Sequence, residues 1–218
     1  RALLEVQSTD PGFEAEGVLA VQTPLPPTRY ATAAPRIAFY SRVLEEVRAL
    51  PGVRSAGYMT FLPLVMGGGI QVVEVAGEVR DPANRPMASL RFVSPDYFAT
   101  MGIRRLAGRD VGAGDSAQAA RVAVVSESFV RRHFPSVPPL GQTFGFAEDQ
   151  RTIVGVVGDV MVRGLERTSE PQVYLPYTQA PEEGMNNYFP RELVIRAELG
   201  GWSRDGMVRQ TSFKGIED

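Results

Sequence analysis

Apolar residues recur every three or four positions between residues 33 and 50, and this spacing predicts the longest helix of the chain. Charged residues in the same stretch, Arg36 among them, fall mostly on the opposite face, and Pro51-Gly52 ends the pattern. The predicted buried stripe consists of Ile37, Tyr40, Val43, Leu44, Val47 and Leu50.

Two strand-like segments flank this helix, at residues 17–22 and 53–62. Together the three elements predict a β-α-β unit, because the helical crossover is long enough to return the second strand parallel to the first.

The pattern changes after residue 67, where strands become short and glycine and proline are frequent. A further strand is predicted near the end, at residues 192–197, with Leu193 and Ile195 inward and Glu192 and Arg196 outward, followed by a helix at 203–216. The sequence therefore predicts an α+β protein with one subdomain built from both chain ends and a second inserted between them. The central strands are predicted at 70–76, 88–93, 122–125, 142–146, 152–158 and 172–175, with short helices at 94–101 and 126–134.

The segment from Val93 to Ile103 predicts a strand end that leads directly into a short helix. Ser94 is a good N-cap, and Pro95 suits the first helical position, where a missing N–H costs nothing. Tyr97 and Met101 are four residues apart and should share a face. Gly102 can adopt the left-handed conformation that ends a helix.

The amino-acid composition excludes several classes of function for this chain. The chain of 218 residues is 44% apolar and 22% charged, with a net charge of −2, which predicts a globular domain without a nucleic-acid surface. It contains no cysteine, which excludes disulfides and thiolate metal sites. It begins at Arg1 and has no apolar run of 18 residues, so we expect a soluble fragment whose missing flanks hold the anchor.

No motif in the sequence predicts catalysis, and we predict no catalytic, cofactor-binding or metal-binding residue. The single histidine, His133, is better explained as a cation at a helix C-terminus than as a base or ligand. Residues 67–69 lack the Gly-Lys-Ser/Thr of a P-loop, and 155–159 lack the spacing of a dinucleotide fingerprint. Asp110 and Asp115 match a calcium loop only loosely. A hydrolase with an unrecognised carboxylate or His133 site is the weakest alternative.

An apolar edge lies where the first subdomain passes into the insert. Its members Phe61, Leu62, Leu64 and Met66 form a candidate cleft or partner contact, although the same residues would also suit a protein core.

A dozen short motifs occur in an order that resembles the periplasmic core domain of MacB-type ABC-transporter permeases. The resemblance is strongest to the variant in duplicated orphan permeases of acidobacterial type. The motifs include Asp10-Pro11-Gly12-Phe13, Leu50-Pro51-Gly52-Val53, Leu62-Pro63-Leu64, the segment 93–103, Val122-Ala123-Val124-Val125-Ser126, Pro139-Leu140-Gly141, the segment 154–159, Pro171-x-Val173-Tyr174-x-Pro176 and Val194-x-Arg196.

The resemblance implies a porter-like subdomain at residues 1–66 and 180–218 and a sabre-like subdomain at 67–179. It also implies a place at the periplasmic or extracellular face of the bacterial inner membrane, as part of an integral membrane protein. Expected partners are the transmembrane part of the same permease, a cytoplasmic ATPase subunit or domain, and a second permease copy or a periplasmic protein. ATP would be hydrolysed elsewhere, so no cofactor is expected here.

Our leading hypothesis is a non-catalytic domain that transmits conformational change or binds a partner or an exported substrate. The alternative is an extracytoplasmic solute- or lipid-binding sensor domain that uses the apolar edge as a cleft.

Overall fold

The computed structural model describes residues 9–26, 28–65, 68–75, 85–181 and 189–198. The helices are α1 (Ala33–Arg48), α2 (Tyr97–Met101) and α3 (Glu127–His133), and a 3-10 turn spans Tyr177–Gln179. The strands are β1 (Val18–Gln22), β2 (Val53–Met59), β3 (Ile70–Val72), β4 (Glu74–Val75), β5 (Met87–Val93), β6 (Arg105–Gly108), β7 (Val122–Ser126), β8 (Thr143–Phe146), β9 (Asp149–Val157), β10 (Gln172–Pro176) and β11 (Glu192–Ala197).

Strands from the two ends of the chain form one block, which we call the terminal block (β1, β2, β11 and α1). Strand β11 pairs antiparallel with both β1 and β2, so β1 and β2 run parallel to each other with β11 between them. The predicted β-α-β unit is thereby confirmed, with one long-range strand inserted into it.

The remaining strands form the central block, β3 to β10. Here β5, β10, β7, β9 and β8 lie side by side, and the segment 70–75 pairs with both outer strands, through β3 to β5 and through β4 to β8. This run of strands therefore closes on itself. Strand β2 pairs with β5, which joins the two blocks into one mixed sheet of an α+β fold.

Two buried clusters extend across both blocks. The first packs Tyr58 and Leu193 of the terminal block with Leu90 and Val173 of the central block. The second lies around α2 and includes Met59, Val93, Tyr97, Tyr174 and Val194. Among the described residues, neither cluster belongs to one block alone.

The short helix after Val93 differs from its prediction at the start and agrees at the end. It begins at Tyr97, and Ser94 does not cap it, because the Ser94 hydroxyl accepts a hydrogen bond from the backbone N–H of Tyr58. Asp96 occupies the N-cap position in a left-handed conformation, with φ 66°. Gly102 has φ 65°, which confirms the predicted C-terminal stop, and Tyr97 and Met101 are both buried.

Other predictions were wrong in specific places. Arg36 and Glu192 are buried, because the Arg36 guanidinium binds backbone carbonyls and the Glu192 carboxylate accepts a hydrogen bond from Gln22 Nε2 at 3.1 Å. Strand β6 was not predicted, and β9 begins at Asp149 rather than residue 152. The predicted helix at 203–216 lies outside the described residues. The division into porter-like and sabre-like subdomains stays a prediction.

Candidate functional site

The two blocks meet where β2 pairs with β5, and we call this contact the joint. Side-chain hydroxyls add hydrogen bonds to it. The Ser94 hydroxyl accepts the Tyr58 N–H at 2.7 Å, while the Ser94 N–H donates to the Tyr58 carbonyl at 3.0 Å. Two residues along, Thr60 Oγ1 accepts the Phe92 N–H at 2.9 Å, and the Thr60 N–H donates to the Phe92 carbonyl at 3.1 Å. All four residues are buried, so water cannot replace these bonds without opening the joint.

Helix α2 packs directly onto strand β2 at Gly57. A Cβ atom at position 57 would lie 2.8 Å from Tyr97 Cα and 3.1 Å from Tyr97 N. Glycine is therefore required at this point of the strand, because a side chain would push the helix backbone away.

Aromatic rings connect α2 to the central block. The Phe98 and Tyr174 ring centroids are 5.0 Å apart, and those of Tyr97 and Tyr174 are 6.2 Å apart. Burial raises the pKa of Tyr97 and raises that of Tyr174 to about 12, so both phenols stay neutral at physiological pH. The Tyr174 hydroxyl donates to Gln172 Oε1 at 2.6 Å, and Gln172 Nε2 donates to the Val160 carbonyl at 2.6 Å.

Two arginines, Arg48 and Arg196, bind α2 at its two ends. Arg48 Nη2 donates to the carbonyls of Ala56 at 2.8 Å and Pro95 at 3.1 Å, and it forms an ion pair with Asp96 at 2.9 Å. Arg48 thereby ties α1, β2 and the start of α2 together.

Arg196 of β11 binds the opposite end of α2. Its Nε donates to the Thr100 carbonyl at 2.8 Å, and its Nη atoms donate to the carbonyls of Glu14 and Glu16 at 2.9 and 3.1 Å. The sequence showed this arginine only as an outward-facing residue of a motif, because its three carbonyl acceptors lie 96 or more positions away along the chain.

The apolar edge proposed from sequence divides between interior and surface. Phe61 is buried and Leu62 packs against the second cluster, whereas Leu64 is exposed. The Leu64 N–H donates to the Val162 carbonyl at 3.0 Å, and Met66 lies outside the described residues. A role for this edge as a cleft or partner contact stays a prediction.

The polar residues that the sequence suggested as candidates for catalysis or metal binding make contacts that hold the fold together. The His133 ring ends α3 and packs against Phe129 with centroids 4.7 Å apart. Asp115 receives two hydrogen bonds from the Arg109 guanidinium, at 2.7 and 2.8 Å, and one from the Gly112 N–H at 2.8 Å. Asp159 accepts from the Ser128 N–H at 2.8 Å in the first turn of α3. The ranges that the structure describes contain no group of three metal-binding side chains.

None of the helices in the described ranges has the length and apolar character that crossing a bilayer requires.

Comparison with known proteins identifies similar sequences and folds. The family model for the MacB-like periplasmic core domain matches residues 5–201. The macrolide export ATP-binding/permease protein MacB of Aggregatibacter actinomycetemcomitans is 28% identical over 121 residues, which cover 56% of this chain and 16% of that protein. The chain thus corresponds to a small part of that relative.

Two solved structures share the fold. The periplasmic region of MacB from Actinobacillus actinomycetemcomitans superposes with a TM-score of 0.59 at 17% identity, covering 88% of this chain and 79% of that one. The extracellular domain of the noncanonic ABC-type transporter YknZ from Gram-positive bacteria gives a TM-score of 0.52 at 12% identity, with 83% of each chain covered.

Proposed function

Because this chain belongs to the family of MacB-like periplasmic core domains, we propose that it moves as one rigid body and passes conformational change from a membrane permease to the periplasm. The family assigns it to the periplasmic face of the inner membrane, as a domain of an ABC-transporter permease. The transmitting role is the part that we propose.

The buried joint between the blocks is the observation that carries this proposal. The Ser94 and Thr60 hydroxyls accept hydrogen bonds from the Tyr58 and Phe92 N–H groups and continue the sheet from β2 into β5. Both buried clusters contain residues of each block. A displacement of the terminal block therefore has to carry the central block with it, since sliding would expose buried polar groups. Rotation of packed bodies of this kind is a common switching motion.

We propose that chemistry takes place elsewhere in the assembly. The residues that could have served in catalysis instead support the fold: Asp115 and Asp159 accept hydrogen bonds from backbone N–H groups, and His133 packs on an aromatic ring. A separate or fused cytoplasmic ATPase would supply the energy.

The further partners are proposals of the same kind. They comprise the transmembrane part of the same permease and a second permease copy or a periplasmic protein.

The strand order supports the division into subdomains, because β1, β11 and β2 from residues 1–66 and 180–218 are neighbours at one end of the sheet. The acidobacterial subtype remains a prediction.

The rigid-body proposal is tested with spin labels in the full-length permease together with its ATPase in lipid bilayers. Leu19 of the terminal block and Leu140 of the central block are 48% and 42% exposed, so Leu19→Cys and Leu140→Cys can carry labels. This chain has no native cysteine to compete with them. We expect the distance between these two labels to be the same with and without ATP.

A second measurement follows the domain relative to the membrane. The distance from the label at Leu140 to spin-labelled lipid headgroups should change when ATP is added. A change in the distance between Leu19 and Leu140 would show that the blocks move separately, and a constant distance to the lipids would show that the domain does not move; either result contradicts the proposal.

A further inference from the structure

Strand β1 forms one end of the sheet, and one of its two edges is open. It pairs with β11, and no other described strand lies beside it. The Thr23 N–H donates to the Arg191 carbonyl of the neighbouring chain segment, so the odd-numbered residues of β1 face β11. The N–H and C=O groups of Ala20 and Gln22 therefore point away from the sheet and have no partner among the described residues.

The side chains of β1 are exposed as well. Leu19 is 48% exposed and Val21 is 44% exposed. They lie beside Ile195 and Leu193 of β11, on the side of the sheet that packs against α1. The strand contains no charged residue and no proline, whereas edge strands of natural proteins usually carry such residues to prevent pairing with another chain.

A second copy of the same strand fits this edge. A two-fold arrangement centred on Ala20 places the Ala20 N–H and C=O of each copy opposite those of the other. The Gln22 N–H of each copy then meets the Val18 carbonyl of the other. In this register Leu19 of each copy lies opposite Val21 of the other, so the exposed apolar side chains of both copies cover one another.

The charges near β1 and the length of the strand also bear on this arrangement. Glu16 is the acidic residue nearest to β1 along the chain, and the same register places it opposite Pro24 of the second copy, so no like charges meet. The strand has five residues, which corresponds to a contact at the small end of protein interfaces. We therefore expect the contact to be weak between free chains and to form when two copies are held in one membrane.

We propose that two copies of this chain associate through β1 and form one continuous sheet. This contact gives a surface to the second permease copy named above as a partner, and it rests on that part of the proposed function. It does not require the rigid-body motion. A label at Leu19 would hinder the pairing, so the distance between Leu19 and Leu140 reports on unpaired copies, and the two proposals can fail separately.

Disulfide formation in the full-length permease, in lipid bilayers together with its ATPase, tests the contact. Ala20→Cys puts a thiol where the two copies meet, at a Cα separation of about 5.5 Å that suits a disulfide. Arg54→Cys is the matched control, because its side chain is 65% exposed in the same block but lies on β2, away from β1. Both positions are exposed, so neither substitution disturbs the interior.

We expect Ala20→Cys to give at least ten times more linked dimer than Arg54→Cys under mild oxidation, after subtraction of the background from the permease with neither substitution. Equal yields from the two variants would show random collision and would overturn the proposal. If later residues of the same chain or a different protein cover β1 instead, Ala20→Cys gives no linked dimer at any protein density in the bilayer, which also overturns it.

A mixture of two variants tests the register. Leu19→Cys and Val21→Cys are carried on permeases with different affinity tags. Pairs that link one variant to the other should be at least three times more frequent than pairs of either variant with itself, because Leu19 of one copy faces Val21 of the other. Equal frequencies would contradict the arrangement centred on Ala20.

Discussion

At the scale of single residues, several charged side chains act as connectors within the fold. Arg48 and Arg196 bind backbone carbonyls at either end of α2, and Arg109 holds Asp115 inside the loop before β7. A guanidinium suits this task because it can donate several hydrogen bonds in fixed directions. The contact between Arg109 and Asp115 includes a carboxylate that can be protonated, so it is open to test by pH.

Asp115 should make the domain less stable in acid. Burial alone would raise the pKa of Asp115, but hydrogen bonds from Arg109 and Gly112 and the Arg109 charge lower it below the ordinary value of 3.8. The carboxylate therefore contributes stability above pH 3.8, and this contribution is lost as the pH falls through the folded-state pKa. We expect the free energy of unfolding in urea to decline below this pH.

The variant Asp115→Asn isolates this contribution. It should be less stable than the wild type at pH 7, and the difference should shrink as the pH is lowered towards 3, because the wild type then loses its charge too. A difference that stays constant across this range would show that the ionised carboxylate is not what stabilises the loop.

At the scale of elements, the contact between α2 and β2 depends on the absence of one side chain. Gly57 lets the backbone of Tyr97 approach the strand, and this approach brings the Tyr97 ring to within 6.2 Å of the Tyr174 ring. The helix is only five residues long and makes few internal hydrogen bonds, so its position depends on this packing.

Gly57→Ala should therefore destabilise the domain. The new Cβ would meet backbone atoms of Tyr97 at 2.8 Å, and displacing them should cost about 1–3 kcal/mol in unfolding free energy, as measured by urea denaturation. Gly114→Ala is the matched control, since a Cβ there would meet nothing within 4 Å, and it should differ from the wild type by less than about 0.5 kcal/mol. Equal effects of the two substitutions would contradict the packing argument.

At the scale of the whole molecule, the two blocks share their interior. Met59 and Val194 of the terminal block pack with Val93 and Tyr174 of the central block, and β2 pairs with β5. A block that separated would expose apolar surface and unpaired backbone groups together, which is the condition for cooperative unfolding.

The domain should therefore unfold in one step. Far-ultraviolet circular dichroism reports the secondary structure, and near-ultraviolet circular dichroism reports the packed aromatic side chains, which include Tyr97 and Tyr174. We expect both signals to change at the same urea concentration and with the same steepness. Two separated transitions would indicate that the blocks are independently stable, and they would also weaken the rigid-body proposal.

Local patterns in the sequence predicted the elements whose form depends on near neighbours. The stripe that contains Tyr40 and Leu44 predicted α1, and Gly102 correctly marked the end of α2. Ser94 was assigned to a helix cap by the same kind of argument, but its hydroxyl is bound to Tyr58, 36 residues earlier. The candidate cleft at Phe61 and Leu64 is likewise not decided by a local pattern, because a run of apolar residues suits both an interior and an open edge.

The amino-acid sequence by itself determined the α+β class, the long amphipathic helix and the family, since these depend on periodicity and on the order of short motifs. Only the tertiary structure decided that β11 lies between β1 and β2, that Arg36 and Glu192 are buried, and that two hydroxyls join the blocks. The physical reason is that hydrogen bonds and burial are shared between residues far apart in the chain. Which residues are buried and which are hydrogen-bonded can therefore be determined only when the sheet has brought both partners together.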